Sequence, residues 1–411
     1  RGGLMFEGNQ KQYILVTSRG ETLNLFYNNR LGICLSVLNR RNKWTTPQVI
    51  IKNSLPYFRA CIDTHDNIHL LHQDSRGDII YLVHKGSGWN RFPILTAKSP
   101  LDYDKNLYMV LARGRIYIFY TIVYDGKNLL TMQEIAENGA PEKPRVLDYI
   151  DMSRGSYCCF YDEEAIYLAY DRITGNETKP GFRIIYYVDD NSVFTSISEK
   201  ADIHIDAVVK DDSSELYLFC RKKIKEYHEV HFIKWGLKEN RLLNDVLLFD
   251  KAERNTMPMA CIMDGKLLYY HINGNDILYK LSNDGGLTWQ PRSGPALYSL
   301  DNLTLAEIHY TAENEKSFIS SANTVPVRFT LSGYNNILTD LFEQSNRAVA
   351  EASRSDSLYE SINRLQKFLE SIDERITRLE KIQHHHSLEL EKAKLESKMA
   401  ARTFAQIQKE E

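Results

Sequence analysis

The residues best able to do chemistry in this chain are its clustered histidines and the charged groups of its turns. His65, His69 and His72 fall within eight positions, a spacing that invites a metal or proton-transfer site. On a strand, however, His69 and His72 point to opposite faces and cannot share one ion without distortion. The same parity separates His228 from His231. His384, His385 and His386 fall on different faces of a helix, so at most one or two could join a site. No P-loop, GxGxxG after a strand, GxSxG elbow, HExxH or CxxC pattern occurs. The expectation is therefore no metal, no cofactor and no assigned catalytic residue.

Positioning these residues is the task of a repeated element. Ile68-His69-Leu70-Leu71-His72 has counterparts starting at Leu23, Ile116, Ile166, Leu216 and Leu267, with a degenerate copy at Phe318. The starts lie 45, 48, 50, 50, 51 and 51 positions apart. A period near 50 with strand-like alternation is the signature of a propeller or solenoid, whose units bury their faces against one another. The second repeat predicts four strands: Phe58 to Ile62, Ile68 to His72, Asp78 to His84 and Arg91 to Thr96. Turn residues separate them, and Trp89 closes the last turn.

The sixth repeat carries Ser282-Asn283-Asp284-Gly285-Gly286-Leu287-Thr288-Trp289, which fits S-x-D-x-G-x-T-W. This stretch resembles the Asp-box, or BNR repeat, of sialidase-like β-propellers. The resemblance covers roughly 1–335 through pattern rather than continuous similarity. It implies a turn between the third and fourth strands of a blade, with Ser282, Asp284, Gly286, Thr288 and Trp289 in structural roles. Asp284 would accept hydrogen bonds from turn amides, the glycines would take conformations closed to other residues, and Trp289 would cover the turn. The sialidase comparison also implies an arginine in a Phe-Arg-Ile-Pro motif. Phe58-Arg59-Ala60-Cys61 keeps only its first two residues and lies in the second repeat.

The fold expected over 1–335 is an all-β propeller of seven four-stranded blades. The ring closes when Gly3 to Glu7 pairs with a last unit built from Leu305 to Tyr310, Ser317 to Ala322 and Val325 to Leu331. The alternative is six blades, with 303–335 packed elsewhere. Composition changes after Gly333. The segment 336–411 has no proline or glycine, and Leu358, Ile362, Leu365, Leu369, Ile372, Ile376 and Leu379 alternate at spacings of four and three. That is a coiled-coil seam, expected to join copies of the chain into an oligomer.

Within that strand order, the first-to-second-strand turns share one face, and the second-to-third loops lie on the other. The former are acidic, with Asp63, Asp66, Asp162, Glu163, Glu164, Asp211, Asp212 and Asp264. The latter carry Arg30, Arg76, Lys127, Arg172, Lys179, Arg221, Lys222, Lys223 and Lys225. The formal charge of −3 thus conceals a dipole across the disc, with one mouth attractive to anions. Arg30, Arg76, Arg172 and Arg221 are the candidate ligand contacts on that face.

The same charge argues against a nucleic-acid-coating protein, and no run approaches 18 apolar residues, so no membrane span is expected. Cys61, Cys159 and Cys261 share a repeat position filled by Val16, Val110 and Val209 in other blades, as small buried hydrophobes would. Six such cysteines without a pairing pattern point to a reduced, cytoplasmic setting. The chain begins at Arg1, which leaves an upstream segment open. The functional expectation is a non-catalytic propeller that recognises an anionic glycan, polymer or protein surface and is displayed multivalently on a coiled-coil rod. The alternative is an Asp-box-type glycoside hydrolase with its site at the mouth of the ring.

Overall fold

The structure is a computed structural model that describes residues 12–292 with short interruptions, then 304–310 and 329–330. The seam from Leu358 to Leu379, the ring-closing segment Gly3 to Glu7 and the strand candidate Ser317 to Ala322 lie outside the described residues.

Alternating apolar sequence builds six antiparallel four-strand units in chain order. The first comprises β1 (Gln12–Val16), β2 (Thr22–Asn28), β3 (Gly32–Val37) and β4 (Gln48–Ile51). The second is β5 (Ser54–Ile62), β6 (Ile68–Asp74), β7 (Ile79–His84) and β8 (Trp89–Leu95). The third runs β9 (Tyr108–Ala112), β10 (Arg115–Tyr124), β11 (Lys127–Ile135) and β12 (Arg145–Ile150). The fourth is β13 (Cys158–Tyr161), β14 (Ala165–Thr174), β15 (Glu177–Tyr186) and β16 (Phe194–Ser196), with one bridge from β12 to β14 at Ile150 and Arg172. The fifth contains β17 (Ile203–Lys210), β18 (Glu215–Ile224), β19 (Tyr227–Gly236) and β20 (Arg241–Ala252). The sixth has β21 (Met257–Met263), β22 (Lys266–Asn273), β23 (Asp276–Ser282) and β24 (Gln290–Arg292).

The first strand of each unit touches the first strand of the next, from β1 through β5, β9, β13 and β17 to β21. Apolar layers fill the gaps between neighbouring sheets. Tyr13, Leu25, Phe58 and Leu70 pack between the first and second units, and Leu71, Tyr81, Met109 and Ile118 between the second and third. Phe119, Leu130, Ile166 and Leu168 join the third to the fourth, and one larger layer runs from the fourth through the sixth. Sheets stacked face to face around their inner strands are the packing of a β-propeller. It explains why the second strands read as near-continuous apolar runs: every residue of β6 is buried, because both faces are covered.

Two further strands follow. In β25 (Thr304–Tyr310) the chain runs parallel to β1, pairing Ala306 with Gln12 and Tyr310 with Val16. A short β26 (Phe329–Thr330) pairs with β25 at Thr304 and Leu305.

Adjacent Cys158 and Cys159 face different layers, the first packing toward the fifth unit and the second into the layer shared with the third. Burial pushes both thiols upward, and among the described residues Cys34, Cys61, Cys158, Cys159 and Cys220 form no disulfide.

The Ser282–Trp289 stretch folds as the turn from β23 into β24. Asp284 accepts from the Thr288 amide (2.9 Å) and hydroxyl (2.6 Å), and Ser282 Oγ accepts from the Gly286 amide at 2.8 Å. Those bonds from Thr288 hold the Asp284 carboxyl down at about 2. Gly286 has φ +85°, and a Cβ there would stand 2.2 Å from the Phe232 ring, so only glycine fits. Trp289 donates to Gly286 O and rests on Phe232 with centroids 5.0 Å apart.

Candidate functional site

A cavity of about 390 Å³ opens where three consecutive inner strands begin, lined by Pro56 to Arg59, Asp104, Asn106 to Tyr108, Ser156 and Tyr157. Tyr108 and Tyr157 lie at successive steps of 49 from Arg59. In the ladders Arg59 and Tyr108 take the same place, opposite Leu71 and Phe119, whereas Tyr157 comes one residue before Cys158, which pairs with Ala169.

Side-chain to backbone bonds between neighbouring units fix the walls. Arg59 Nε donates to Leu107 O at 2.7 Å, and its guanidinium carbon sits 4.6 Å from the centre of the Tyr108 ring. Tyr108 OH donates to Cys159 O (3.1 Å), and Tyr157 OH donates back to Asn106 O (2.5 Å). Tyr13 OH donates to Phe58 O at 3.0 Å. Burial lifts the Tyr157 phenol well above its ordinary value, so it stays a neutral donor.

The middle wall is held from beneath. Gln73 donates through Nε2 to Tyr103 O (2.9 Å) and accepts from the Lys105 amide (3.1 Å). Asn106 takes φ +50°, stabilised by its amide bond to Asp104 Oδ1 at 2.7 Å. Lys105 is buried, with Nζ lacking a hydrogen-bond partner among the described residues and lying 4.8 Å from the Tyr103 ring centre. Desolvation lowers its pKa, against the pull of Asp78, Asp74 and Asp104.

The third wall is braced by a buried ionic network. A Cβ on Gly155 would stand 2.3 Å from His204 Nε2, so the imidazole abuts the backbone that leads into Ser156 and Tyr157. His204 Nδ1 lies 2.9 Å from Asp171, and Arg221 Nε donates to Asp206 at 2.5 Å. Asp206 sits in a bulge of β17, and burial raises its pKa despite the Arg221 charge.

The four arginines singled out in the sequence belong to four different blades, and none lines this cavity. Arg30 is exposed in the turn after β2. Arg76 is exposed and lies 3.7 Å from both Asp74 and Asp78. Arg172 pairs with Asp148 at 2.8 Å, alongside Arg183 and the Tyr170 hydroxyl on the same carboxylate. Arg221 belongs to the brace just described. Arg59 is the arginine in the cavity wall. Its signal was the step of 49 shared with Tyr108 and Tyr157, two positions before Cys61, Val110 and Cys159.

The acidic turns are internal fixtures. Asp63 accepts from the His65 and Asn67 amides at 2.9 and 2.8 Å and lies 3.2 Å from His69 Nε2. Burial pushes its carboxyl up, but the bonds from His69 and Asn67 outweigh this and hold it well below the usual range. Asp162 caps Glu164 and Ala165 and takes the Lys210 ammonium at 2.8 Å. Asp211 accepts from Tyr217 OH at 2.7 Å. His69 completes its bonding with Tyr81 OH (2.7 Å), whereas His72 is buried elsewhere and lowered to about 4 by desolvation.

A β-propeller with an aromatic, hydrogen-bonding cavity at the head of three blades is the class these features define. No protein-family model matches the sequence, and no curated protein matches it. Solved structures similar to the chain include a PL25 ulvan lyase, at 12% identity and TM-score 0.49, covering 74% of this chain and 87% of that one. The Aleuria aurantia lectin AAL, solved with Fucα1-6GlcNAc, is similar at 11% identity and TM-score 0.41, covering 71% and 99%. The β-propeller domain of the trilobed protease from Pyrococcus furiosus follows at 12% and 0.43, covering 72% and 88%. At these values the likeness assigns no function, and the propeller assignment rests on the sheet order and packing described above.

Proposed function

We propose that this chain is a glycan-binding propeller, with the cavity at Arg59, Tyr108 and Tyr157 as its binding site. The observation that carries the reading is the chemistry of the lining. Tyr57 and Tyr108 offer half-buried rings for the apolar face of a sugar, while Asp104, Asn106, Ser156 and Arg59 offer polar groups for its hydroxyls. These groups stand on strands whose positions are fixed by interblade bonds, so little ordering is required on binding. Among the described residues that line the cavity Asp104 is the one carboxylate, whereas two-carboxylate glycoside hydrolysis needs a facing pair. A binding role therefore fits the lining better than a hydrolytic one.

The reading extends to the rest of the chain. β25 would serve as the inner strand of a seventh unit beside β1. The segment 336–411 would associate through Leu358, Ile362, Leu365, Leu369, Ile372, Ile376 and Leu379, giving multivalent display of the cavity. The test is a glycan array probed with the full chain and with Tyr57→Ala. The expected result is a restricted set of bound glycans whose signal the substitution removes. Binding to the array that Tyr57→Ala leaves unchanged would refute the site.

A further inference from the structure

The hairpins on the cavity side are unequal. From the shared repeat position the second strand continues five residues in β2 and six in β6, but eight in each of β10, β14 and β18. Counting their shorter loops, at about 3.3 Å per residue the hairpins of the third, fourth and fifth blades project roughly 5–8 Å beyond those of the first two. Tight two-residue turns close them, with φ +49° at Asp125, +70° at Gly126, +62° at Gly175 and +54° at Lys225.

The β10–β11 hairpin stands beside the cavity. Tyr103 precedes the cavity residue Asp104, and its hydroxyl accepts from the Val123 amide at 3.2 Å. Beyond that bond Tyr124 is 62% exposed and Tyr149 39% exposed, two rings with the exposed side chains of Val123 and Val146 nearby in sequence. Lys127 pairs across the hairpin with Tyr124 and holds its ammonium 5.7 Å from the centre of the Tyr149 ring. In the fifth blade Lys222, Lys223 and Lys225 occupy the hairpin end. None of these four lysines forms an ion pair among the described residues, in contrast to Arg76, Arg172 and Arg221. Arg30 lies in the first-blade turn, but these lysines of the same side stand on projecting hairpins, and Lys127 lies next to two exposed aromatic rings.

We infer that the ligand is an extended acidic polysaccharide whose chain runs from the cavity onto the β10–β11 hairpin, where Tyr124, Tyr149 and Lys127 form a second contact. The rings stack on sugar faces, and Lys127 meets an anionic substituent, a carboxylate or a sulfate. This inference rests on the cavity reading and adds chain length and charge to it.

The test is electrophoresis of the full chain through gels containing polygalacturonate, dextran sulfate or neutral mannan. Three proteins are compared: wild type, Tyr124→Ala/Lys127→Gln/Tyr149→Ala, and Ser156→Trp, which fills the cavity. The altered hairpin residues are exposed, and unchanged melting temperatures confirm folding. The expected result is stronger retardation of wild type by at least one acidic polymer than by mannan, weakened at least tenfold in both variants. Retardation by polygalacturonate alone identifies carboxylate as the anion, and by dextran sulfate alone identifies sulfate. If the hairpin variant runs as wild type while Ser156→Trp is released, the second contact is wrong and the cavity stands. If Ser156→Trp runs as wild type while the hairpin variant is released, the cavity reading fails and the hairpin contact stands alone. Equal retardation in mannan, or none in either acidic polymer, overturns the inference.

Discussion

The two sides of the propeller handle polar groups in opposite ways. On the side of the first-to-second-strand turns, Asp63, Asp162 and Asp211 are each spent on turn amides, a second-strand partner or a lysine. The Asp284 turn, on the same side, closes on itself through Ser282 and Thr288. On the other side, His72 Nδ1 and Lys105 Nζ are buried without hydrogen-bond partners among the described residues, rings are exposed at Tyr124 and Tyr149, and a cavity opens between blades. One side commits these carboxylates to holding the repeat together, and the other keeps groups available. Charge counted along the sequence does not reveal this, because a carboxylate capping a turn contributes little to the field above the surface.

The sharpest way to break the contrast is to leave one saturated group unpaired. Asp162→Ala strands the Lys210 ammonium and the Tyr167 hydroxyl in a largely buried setting. It is expected to lower unfolding free energy in urea by about 4 kcal/mol, the range for removing one partner of a buried pair. Gly286→Ala drives a Cβ into the Phe232 ring at φ +85°, with an expected loss of about 3 kcal/mol by the same measurement. A loss under 1 kcal/mol in either would show that these turns are not the fixtures described.

A pH titration probes the unsaturated side. His72 is neutral when folded down to about 4, whereas the unfolded chain takes up its proton near 6.5. Acidification from 6.5 to 4 therefore favours the unfolded state, by roughly 3 kcal/mol from this residue, and the effect levels off below 4. His72→Gln should remove that slope. The carboxylates behave differently: stabilisation from Asp284 is complete above about 4 and is lost as pH falls through about 2. Asp284→Asn should abolish only this lower, more acidic step. The smallest effect is expected at Arg76, whose exposed side chain lies 3.7 Å from its carboxylates. Arg76→Ala should change stability by no more than about 0.5 kcal/mol.

Much of the architecture is legible in the sequence because packing between blades imposes a repeating alternation. The strands expected at Ile68 to His72 and Asp78 to His84 occur as β6 and β7, and Trp89 opens β8 where it was expected to close a turn. The opposed faces of Cys158 and Cys159 follow from parity alone. The cavity was not legible, because Arg59 and Tyr108 resemble any half-buried strand residues, and Tyr157 a buried residue just before a strand, until three blades bring them together. The arginine candidates show a second limit of pattern. Arg172 and Arg221 lie within β14 and β18 rather than in the second-to-third loops where counting placed them, and their carboxylate partners come from other strands. Asp148 lies on β12 and Asp206 in a bulge that no periodicity marks.

The central claim is that the cavity at the head of the second, third and fourth blades binds a glycan. Calorimetric titration of the glycan selected on the array, into wild type and Ser156→Trp at matched melting temperatures, tests it most directly. Saturable binding by wild type and a loss of at least a hundredfold in Ser156→Trp are predicted. Equal affinity in the two proteins would contradict the account.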